Sequence, residues 1–289
     1  MLTASRLCLR SGGIMTFVIL KAGVLWQFRA MIKIGIVLSG GGARSIAHLG
    51  VLQALEDLGI RPGAIAGASA GAVLGALYAA GHTPRKILDA VQQSVATGLL
   101  NKISPGFGLF TISGLTRFFN DTKLHRNFED LAIPLWVSAT NLRSSAPVIF
   151  SSGPLHRALI GSCAVPGITM PVNFRHMYLA DGGLLDNLPA HAIRPHCQML
   201  IGSNVNGFQT PPSPKASRLD LMDKCFHLVI AGQVAASAAL CDYCVMPDLH
   251  QFSMFELKHP GQLFRAGYRA IIAQEKLLRD LMKIHAIAH

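Results

Sequence analysis

The chain has 289 residues, of which 51% are hydrophobic and 14% are charged. This balance predicts a folded chain with a large buried core and excludes a disordered one. The net charge is +11, but the basic residues are scattered without runs or interleaved aromatics, which argues against nucleic-acid binding. Such a charge suits transient contact with an anionic membrane surface. The six cysteines have neither the density of a disulfide framework nor the paired spacing of a zinc site, and we predict no metal and no cofactor.

Residues 1–30 differ in character from the rest of the chain. Residues 12–20 are apolar and come after arginines, as in a weak signal-peptide core, but Lys21 interrupts the run and no small-residue cleavage site comes after it. We expect these thirty residues to be an extension that is absent from the native protein, with translation starting at Met15 or Met31. No run of about 20 apolar residues marks a transmembrane helix, and we expect a cytoplasmic protein.

The first clear element is a short buried strand at residues 34–38, which runs into a turn that contains Gly40, Gly41 and Gly42. An amphipathic helix pattern comes next and stops at Gly59. A strand, a glycine-rich turn and a helix together present free backbone N–H groups to an anion. Glycine also lets the anion approach the backbone closely, so this turn is a candidate anion site.

A second turn, residues 67–71, has the sequence Gly-Ala-Ser-Ala-Gly and lies between an apolar stretch and a run of small helix formers. Gly67 and Gly71 permit a sharp strand-to-helix turn that exposes the Ser69 hydroxyl at a helix N-terminus. Alone, this spacing is also typical of a tight turn with a capping serine. Because the glycine-rich turn precedes it closely, we interpret Ser69 as a nucleophile and the first turn as the holder of the oxyanion.

The elements after Ser69 alternate between helices and strands. This alternation predicts an α/β fold with a mostly parallel central sheet and helices on both faces. The aromatic residues within residues 99–127 suit either a lid or an ordinary core, and we favour the core. The pattern predicts helices at residues 84–97, 154–163, 221–240 and 260–284, and strands at 135–140, 148–150, 177–180, 198–203 and Val245.

The predicted strand at residues 177–180 ends in Asp181, Gly182 and Gly183. The two glycines let the chain turn away and leave the carboxylate at the carboxyl end of the strand. Asp-Gly-Gly is most often only a turn, but we expect this one at the same sheet edge as the other two turns. We therefore interpret Asp181 as the base that accepts the serine proton.

Histidine is the usual base for a serine nucleophile, yet no histidine here has a strong local pattern. His48 is predicted to be a packing residue beside apolar neighbours. His191 and His196 come after Asp181 and would complete the chain order Ser, Asp, His of α/β hydrolases. The two glycine turns lie too close together in sequence for a good fit to that fold, which favours the aspartate.

Together these motifs resemble the patatin-like phospholipase family over residues 34–194. The resemblance implies a hydrolase that cleaves lipid esters, phospholipids or lysophospholipids, with a Ser69–Asp181 dyad and without histidine, through an acyl-enzyme. No cofactor is implied. The matching motifs are residues 40–44 (Gly-Gly-Gly-Ala-Arg), 67–71 and 181–183, supported by residues 162–167 and 186–189.

The resemblance also implies the domain boundaries and the roles of the other site residues. Residues 31–203 form the catalytic domain, and residues 204–289 form a mainly helical part packed on it. Ser45 stands where the family commonly has glycine; either serine is small enough to be tolerated there, or it tightens the helix approach or narrows the head-group site. The implied oxyanion donors are Gly40, Gly41 and Gly42, aided by Arg44; Gly67 and Gly71 shape the nucleophile turn, and Gly182 and Gly183 shape the base turn.

Two other functions share these residues. An acyltransferase would use the same dyad and pass the acyl group to an acceptor other than water. A non-catalytic phosphate- or nucleotide-binding module would use Gly40 to Gly42 alone, but the chain lacks a P-loop pattern and Ser45 interrupts G-x-G-x-x-G. We favour the hydrolase, with a lipid or other acyl ester as its substrate; the sequence does not set the oligomeric state.

Overall fold

The computed structural model describes residues 32–97, 112–207, 218–254 and 257–285. Its strands are β1 (Ile32–Leu38), β2 (Ala64–Ala68), β3 (Leu135–Asn141), β4 (Ala146–Phe150), β5 (Val172–Phe174), β6 (Met177–Asp181), β7 (Cys197–Ser203) and β8 (Tyr243–Val245). Its α-helices are α1 (Ala47–Asp57), α2 (Ser69–Ala79), α3 (Pro84–Ala96), α4 (Ile112–Asp121), α5 (Leu155–Ser162), α6 (Ala190–Ile193), α7 (Arg218–Ala238), α8 (Pro260–Ile272) and α9 (Glu275–Ile284).

The strands form one sheet in the order β5-β6-β3-β2-β1-β7-β8, and β4 also pairs with β3. The five strands β3, β2, β1, β7 and β8 are mutually parallel. The pairs β3–β4, β3–β6 and β5–β6 are antiparallel. The predicted α/β fold with a mostly parallel central sheet is therefore confirmed, and the antiparallel strands are confined to one end of it.

Alternate side chains of β1 enter two separate hydrophobic cores. Ile36 and Leu38 pack with residues of α1, α2, α3 and α8, whereas Val37 packs with residues of α6 and α7. All three side chains are fully buried. A central parallel strand is covered by helices on both faces, which explains why the sequence of β1 shows a continuous apolar run and no alternation of apolar with polar residues.

Strand β3 is longer than its neighbour β2, and β6 occupies the rest of the same edge. Ala68, the last residue of β2, pairs with Ser138. Asp181, the last residue of β6, pairs with Ala139, the next residue along β3. Because β4 pairs with both Ser138 and Ala139 on the opposite edge, β2 and β6 meet end to end. Ser69, the residue after β2, is thereby placed beside Asp181.

The C-terminal residues contribute to this same sheet and its core. Strand β8 extends the sheet beside β7, and α8 crosses α1 at a point where both helices carry glycine. A Cβ atom at Gly267 would overlap the carbonyl oxygen of Ala47, and one at Gly50 would overlap that of Phe264. Only glycine at both positions lets the two backbones approach this closely.

Several elements differ from the sequence-based expectation, and the helices α4 and α6 were not predicted. Strand β5 was not predicted, because three residues are too few to show an alternation of apolar and polar side chains. The helix predicted at residues 260–284 is two helices, α8 and α9, separated by Ala273 and Gln274. Neither residue is a helix breaker such as proline or glycine, so the sequence carries no local signal for this break.

The predicted lid or core at residues 99–127 is described only in its second half. Phe118 and Phe119 are both buried, which confirms the core interpretation for this half; residues 99–111 lie outside the described residues, as do residues 1–30. No helix in the described part of the chain is both long and apolar enough to span a membrane.

The α1–α8 crossing gives a testable prediction about stability. Alanine favours a helix over glycine by about 1 kcal/mol, but at Gly267 its methyl group would displace the backbone of Ala47, at a cost of about 1–3 kcal/mol. We expect Gly267→Ala to lower the free energy of unfolding. Gly232→Ala is the matched control, because a Cβ atom there has no neighbour within 4 Å, and it should stabilise. Equal stabilisation of both variants in urea unfolding would contradict the observed crossing.

Candidate active site

Ser69 lies at the junction of β2 and α2 with a backbone φ of +50°. A non-glycine residue in this left-handed region is strained and is typical of a sharp turn at a functional site. The turn requires Gly71, since a Cβ atom there would overlap the carbonyl oxygen of Ser39. Gly67 packs against the backbone of Ala72, which a Cβ atom would approach to 2.9 Å. A side chain at either position would clash with the backbone, which explains why both residues of this turn are glycine.

The Ser69 hydroxyl donates a hydrogen bond to the Asp181 carboxylate, with 2.6 Å between Oγ and Oδ2. The other carboxylate oxygen, Oδ1, accepts the N–H of Gly183 at 2.7 Å. Thr140 donates to the main-chain oxygen of Asp181 at 2.9 Å. The side chain of Asp181 is therefore fixed at both oxygens, and one of them faces the serine.

Ser162 connects the serine turn to β3. Its Oγ accepts the N–H of Ser69 at 2.8 Å and donates to the carbonyl oxygen of Ser138 at 2.6 Å. Ser138 is the residue of β3 that pairs with the end of β2. The Ser162 hydroxyl is fully buried, and its two hydrogen bonds fix the position of the strained Ser69 turn relative to β3. Sequence reasoning noted residues 162–167 only as part of the family resemblance and assigned no role to Ser162.

Burial changes the acidity of two groups in the site. It raises the pKa of Asp181 to about 6, against the opposing effect of the hydrogen bonds from Ser69 and Gly183. The carboxylate is thus a stronger base than an exposed one and is still ionised at neutral pH. Burial, with the nearby charge of Asp181, also raises the pKa of the Cys163 thiol well above its ordinary value.

The glycine-rich turn lies beside Ser69. A Cβ atom at Gly40 would come within 3.0 Å of the Cβ of Ser69, so glycine is needed there for the two turns to approach. Gly42 has a φ of +55°, which glycine adopts without strain. Among the described residues, the N–H groups of Gly41 and Gly42 have no hydrogen-bond partner, and both residues line the same cavity as Ser69.

Two of the four predicted oxyanion donors are occupied elsewhere. The N–H of Gly40 donates to the carbonyl oxygen of Asn187 at 3.2 Å. The guanidinium of Arg44 donates to the carbonyl oxygen of Phe252 at 2.6 Å and to Nε2 of His227, and Arg44 does not line the cavity. These two hydrogen bonds join Arg44, next to the glycine turn, to α7 and to the loop before α8, and the local sequence around Arg44 does not indicate either partner.

Ala70 was not predicted as a donor. It comes directly after Ser69 in the first turn of α2 and lines the cavity. N–H groups in the first turn of a helix have no acceptor four residues back, and the helix dipole gives them a partial positive charge. Within the described part of the chain the N–H of Ala70, like those of Gly41 and Gly42, has no hydrogen-bond partner.

Two asparagines hold the glycine turn in place. Asn187 and Asn206 both donate through their side-chain amides to the carbonyl oxygen of Gly40, at 3.4 and 2.6 Å. The N–H of Ala43 donates to the carbonyl oxygen of Met254 at 2.8 Å. Asn187 belongs to residues 186–189, which are part of the family resemblance, whereas nothing in the sequence indicated a role for Asn206.

The Oγ of Ser45 is buried without a hydrogen-bond partner in the described residues.

The cavity above the serine has an empty volume of about 600 Å³. Ser69, Asp181, Gly41 and Gly42 form its base, and apolar side chains form most of its wall. A site of this kind suits a small or chain-like apolar ligand with a polar group at the base. The wall residues are Ala70, Cys163, Val165, Ile168, Thr169, Gly183, Asn187, Phe226, Ile230 and Met254.

None of the histidines that the structure describes lines this cavity. His48 is fully buried, with Nδ1 bonded to Ser203 and Nε2 to the carbonyl oxygen of Ser39, each at 2.8 Å. Burial lowers its pKa to about 4, so it stays neutral, and the prediction of a packing residue is confirmed. His191 is half-exposed and lies 3.9 Å from Asp186, and His196 stacks on Trp136.

The described residues also offer no metal site. No group of three His, Cys, Asp or Glu side chains within them is placed to hold an ion. Asp181 itself has only hydrogen-bond donors as partners.

Fold and site together define an α/β protein with a buried Ser–Asp pair and free backbone N–H groups at the base of an apolar cavity. The family model described as patatin-like phospholipase matches residues 36–194, which is more than half of the chain. The chain therefore belongs to the patatin-like phospholipase family.

Relatives from several kingdoms share this region. An uncharacterised NTE family protein of Mycobacterium tuberculosis is 33% identical over 187 residues, which are 64% of this chain and 52% of the relative. Lysophospholipase NTE1 of Saccharomyces cerevisiae is 33% identical over 183 residues, 60% of this chain and 11% of the relative. The chain thus spans about half of the mycobacterial relative and about a tenth of the yeast one.

Among solved structures, VipD from Legionella pneumophila matches with a TM-score of 0.52 and 16% sequence identity. The match covers 86% of this chain and 67% of VipD. At this level of identity the similarity concerns the fold alone.

The raised pKa of Asp181 gives a prediction about pH. If Asp181 is the base for Ser69, as the sequence predicts, it can accept a proton only while it is ionised, and lowering the pH through about 6 would remove that base. We expect the rate at which a fluorophosphonate labels Ser69 to fall about tenfold per pH unit below that value and to level off above it. Circular dichroism at each pH is the control for unfolding. A midpoint near the ordinary aspartate value of about 4 would contradict the burial of Asp181.

Proposed function

We propose that the protein is a serine acyl hydrolase that cleaves carboxylic ester bonds of lipids, phospholipids or lysophospholipids, by a Ser69–Asp181 dyad. The observation that carries the proposal is the 2.6 Å hydrogen bond between the two side chains at the base of a cavity with an apolar wall. The names of the relatives, lysophospholipase among them, agree with a lipid ester as the substrate class.

The first half of the reaction transfers the acyl group to Ser69. As Oγ attacks the ester carbonyl carbon, its proton moves to Oδ2 of Asp181. The pKa of about 6 makes this carboxylate basic enough to assist and acidic enough to return the proton. When the tetrahedral intermediate collapses, the C–O bond to the alcohol breaks and the alkoxide takes the proton from Asp181.

The second half releases the acid. A water molecule attacks the acyl-enzyme and gives its proton to the same carboxylate, which returns it to Oγ of Ser69 as the ester bond to serine breaks. In both halves the negative carbonyl oxygen is stabilised by the N–H groups of Gly41, Gly42 and Ala70. Each donor of this kind typically contributes a factor of about 10²–10³ to turnover.

The dyad is tested by substitution and labelling. We expect Ser69→Ala and Asp181→Asn each to lower the hydrolysis of a short p-nitrophenyl ester by at least about 10³-fold, and Ser69→Ala to abolish fluorophosphonate labelling. His191→Ala and His196→Ala are the matched controls and should keep their activity. Loss of about 10²–10⁴-fold in a folded histidine variant, as expected for removal of a general base, would point to a triad instead.

We also propose that the protein contacts an anionic membrane surface while it acts. The outer face of α7 supports this contact: Leu228 and Val229 are more than half exposed, and no Asp, Glu, Lys or Arg occurs between residues 225 and 240. Phe226 and Ile230 of the same helix line the catalytic cavity. A net charge of +11 favours an anionic surface over a neutral one.

Vesicle sedimentation tests this contact. We expect binding to vesicles that contain phosphatidylglycerol, and a loss of about tenfold in the partition coefficient for Leu228→Glu and Val229→Glu, since each removes a large apolar side chain from the contact. Ile284→Glu on α9, also strongly exposed, is the control and should bind normally. Concentration-dependent self-association without vesicle binding would assign the α7 face to a second copy of the chain and overturn the proposal.

A further inference from the structure

A polar cleft lies between α8 and the loop before it. We call it the α8 cleft; its volume is about 580 Å³, which is within the range of small-molecule sites. It shares no wall residue with the catalytic cavity. Helix α8 supplies Gln262, Arg265 and Arg269 together with two alanines, and the loop supplies Asp248, Gln251 and Phe252.

Arg265 and Arg269 bring two positive charges into this cleft. They lie four residues apart on α8, which puts both side chains on the same face of the helix. Within the described part of the chain, neither guanidinium has an ion-pair or hydrogen-bond partner. Two like charges at this spacing repel each other and destabilise a helix. A bound anion would remove this repulsion, and the planar guanidinium matches the geometry of a phosphate group.

The other polar groups of the cleft indicate what else the ligand carries. The Asp248 carboxylate accepts a hydrogen bond from Nδ1 of His250 at 2.6 Å. It repels a ligand that is negative throughout, but it can accept a hydrogen bond from a hydroxyl group. The side-chain amides of Gln251 and Gln262 both donate and accept, as hydroxyl groups require. The cleft therefore suits a molecule with a phosphate group at one end and hydroxyl groups at the other.

The wall of the α8 cleft is tied to the glycine turn. Phe252 is 8% exposed, and its carbonyl oxygen accepts a hydrogen bond from Nε of Arg44 at 2.6 Å. Two residues further, the carbonyl oxygen of Met254 accepts the N–H of Ala43 at 2.8 Å, and Met254 lines the catalytic cavity. Residues 252–254 thus contact both cavities. A ligand that restrains them from the α8 side also restrains the glycine turn.

We propose that the α8 cleft is a second ligand site, which binds a polyol that carries a phosphate group, and that the bound ligand stabilises the glycine turn. Arg265 and Arg269 hold the phosphate group through charge-assisted hydrogen bonds. Asp248 and the glutamine amides bind the hydroxyl groups. A free polyol phosphate and the head group of a phosphoinositide both offer this chemistry. The inference goes beyond the proposed hydrolase function, and no part of it requires a reactive serine.

Isothermal titration calorimetry with inositol 1-phosphate tests the site. We expect this probe to bind at least about tenfold more tightly than inorganic phosphate, because hydroxyl contacts add to the phosphate contacts. The double arginine variant, Arg265→Gln with Arg269→Gln, should weaken binding by at least about tenfold. Arg157→Gln with Lys276→Gln is the matched control: it removes two exposed cations outside the cleft, gives the same net charge, and should bind normally.

Vesicles distinguish the two sources of the ligand. Phosphatidylcholine vesicles that contain phosphatidylinositol 4-phosphate are compared with vesicles of equal charge that contain phosphatidylglycerol, so the contact proposed for α7 affects both alike. A preference for the phosphoinositide that the double arginine variant loses assigns the lipid head group as the ligand. Binding of the soluble probe without such a preference assigns a free polyol phosphate.

Hydrogen exchange tests the link to the glycine turn. The N–H of Ala43 exchanges when its hydrogen bond to Met254 opens. Saturation with the probe that binds should therefore slow exchange in residues 42–46 by about fivefold or more, and the double arginine variant should show no slowing. Thermal melting establishes that each variant is folded.

Three results would overturn the proposal. The first is the absence of binding to both the soluble probe and the phosphoinositide vesicles. The second is an equal loss of binding in the control pair, which would make the attraction a matter of net charge. The third is unaltered exchange in residues 42–46 at saturation. Failure of the proposed hydrolase function is a separate result, because it is read from ester hydrolysis and from the labelling of Ser69.

Discussion

The site depends on the end-to-end meeting of β2 and β6 along one edge of β3. Ala68 and Asp181 pair with consecutive residues of β3, so a slip of one residue in either register would separate the serine from the carboxylate. Ser162 ties the serine turn to the same strand. Because one hydrogen bond joins the two side chains directly, the sheet itself sets the distance between the hydroxyl and the carboxylate, the distance on which the proposed proton transfer depends.

Much of this site could be predicted from local sequence. The turns at residues 40–42, 67–71 and 181–183 each follow a strand and contain at least two glycines, a pattern that the sequence shows directly. The contacts that require several of these glycines are with other segments of the chain. The parallel strands also showed as continuous apolar runs, since both faces of the sheet are covered. The prediction that Asp181 lies at the same sheet edge as Ser69 was correct, but it assumed parallel strands. Strand β6 is antiparallel to β3, and it pairs with the part of β3 that extends beyond β2.

What the sequence could not predict involves partners distant along the chain. The N–H of Gly40 is occupied by Asn187 and the guanidinium of Arg44 by Phe252, and these contacts remove two expected donors from the cavity. The roles of Ser162 and Asn206 likewise depend on tertiary hydrogen bonds. Each of these partners lies at least 90 positions along the chain from the group to which it is hydrogen-bonded. A short sequence motif does not extend over such a distance.

The thiol of Cys163 stands beside the pair in the same cavity. Sulfur is ordinarily the better nucleophile, but only as a thiolate, and here burial and the adjacent carboxylate keep it protonated at neutral pH. The two candidate nucleophiles of this cavity therefore differ in activation, because the hydroxyl is hydrogen-bonded to a carboxylate and the thiol stays protonated. Inhibitors built on phosphorus or carbonyl centres should engage the oxygen, whereas alkylating agents designed for cysteine should pass this pocket without reacting.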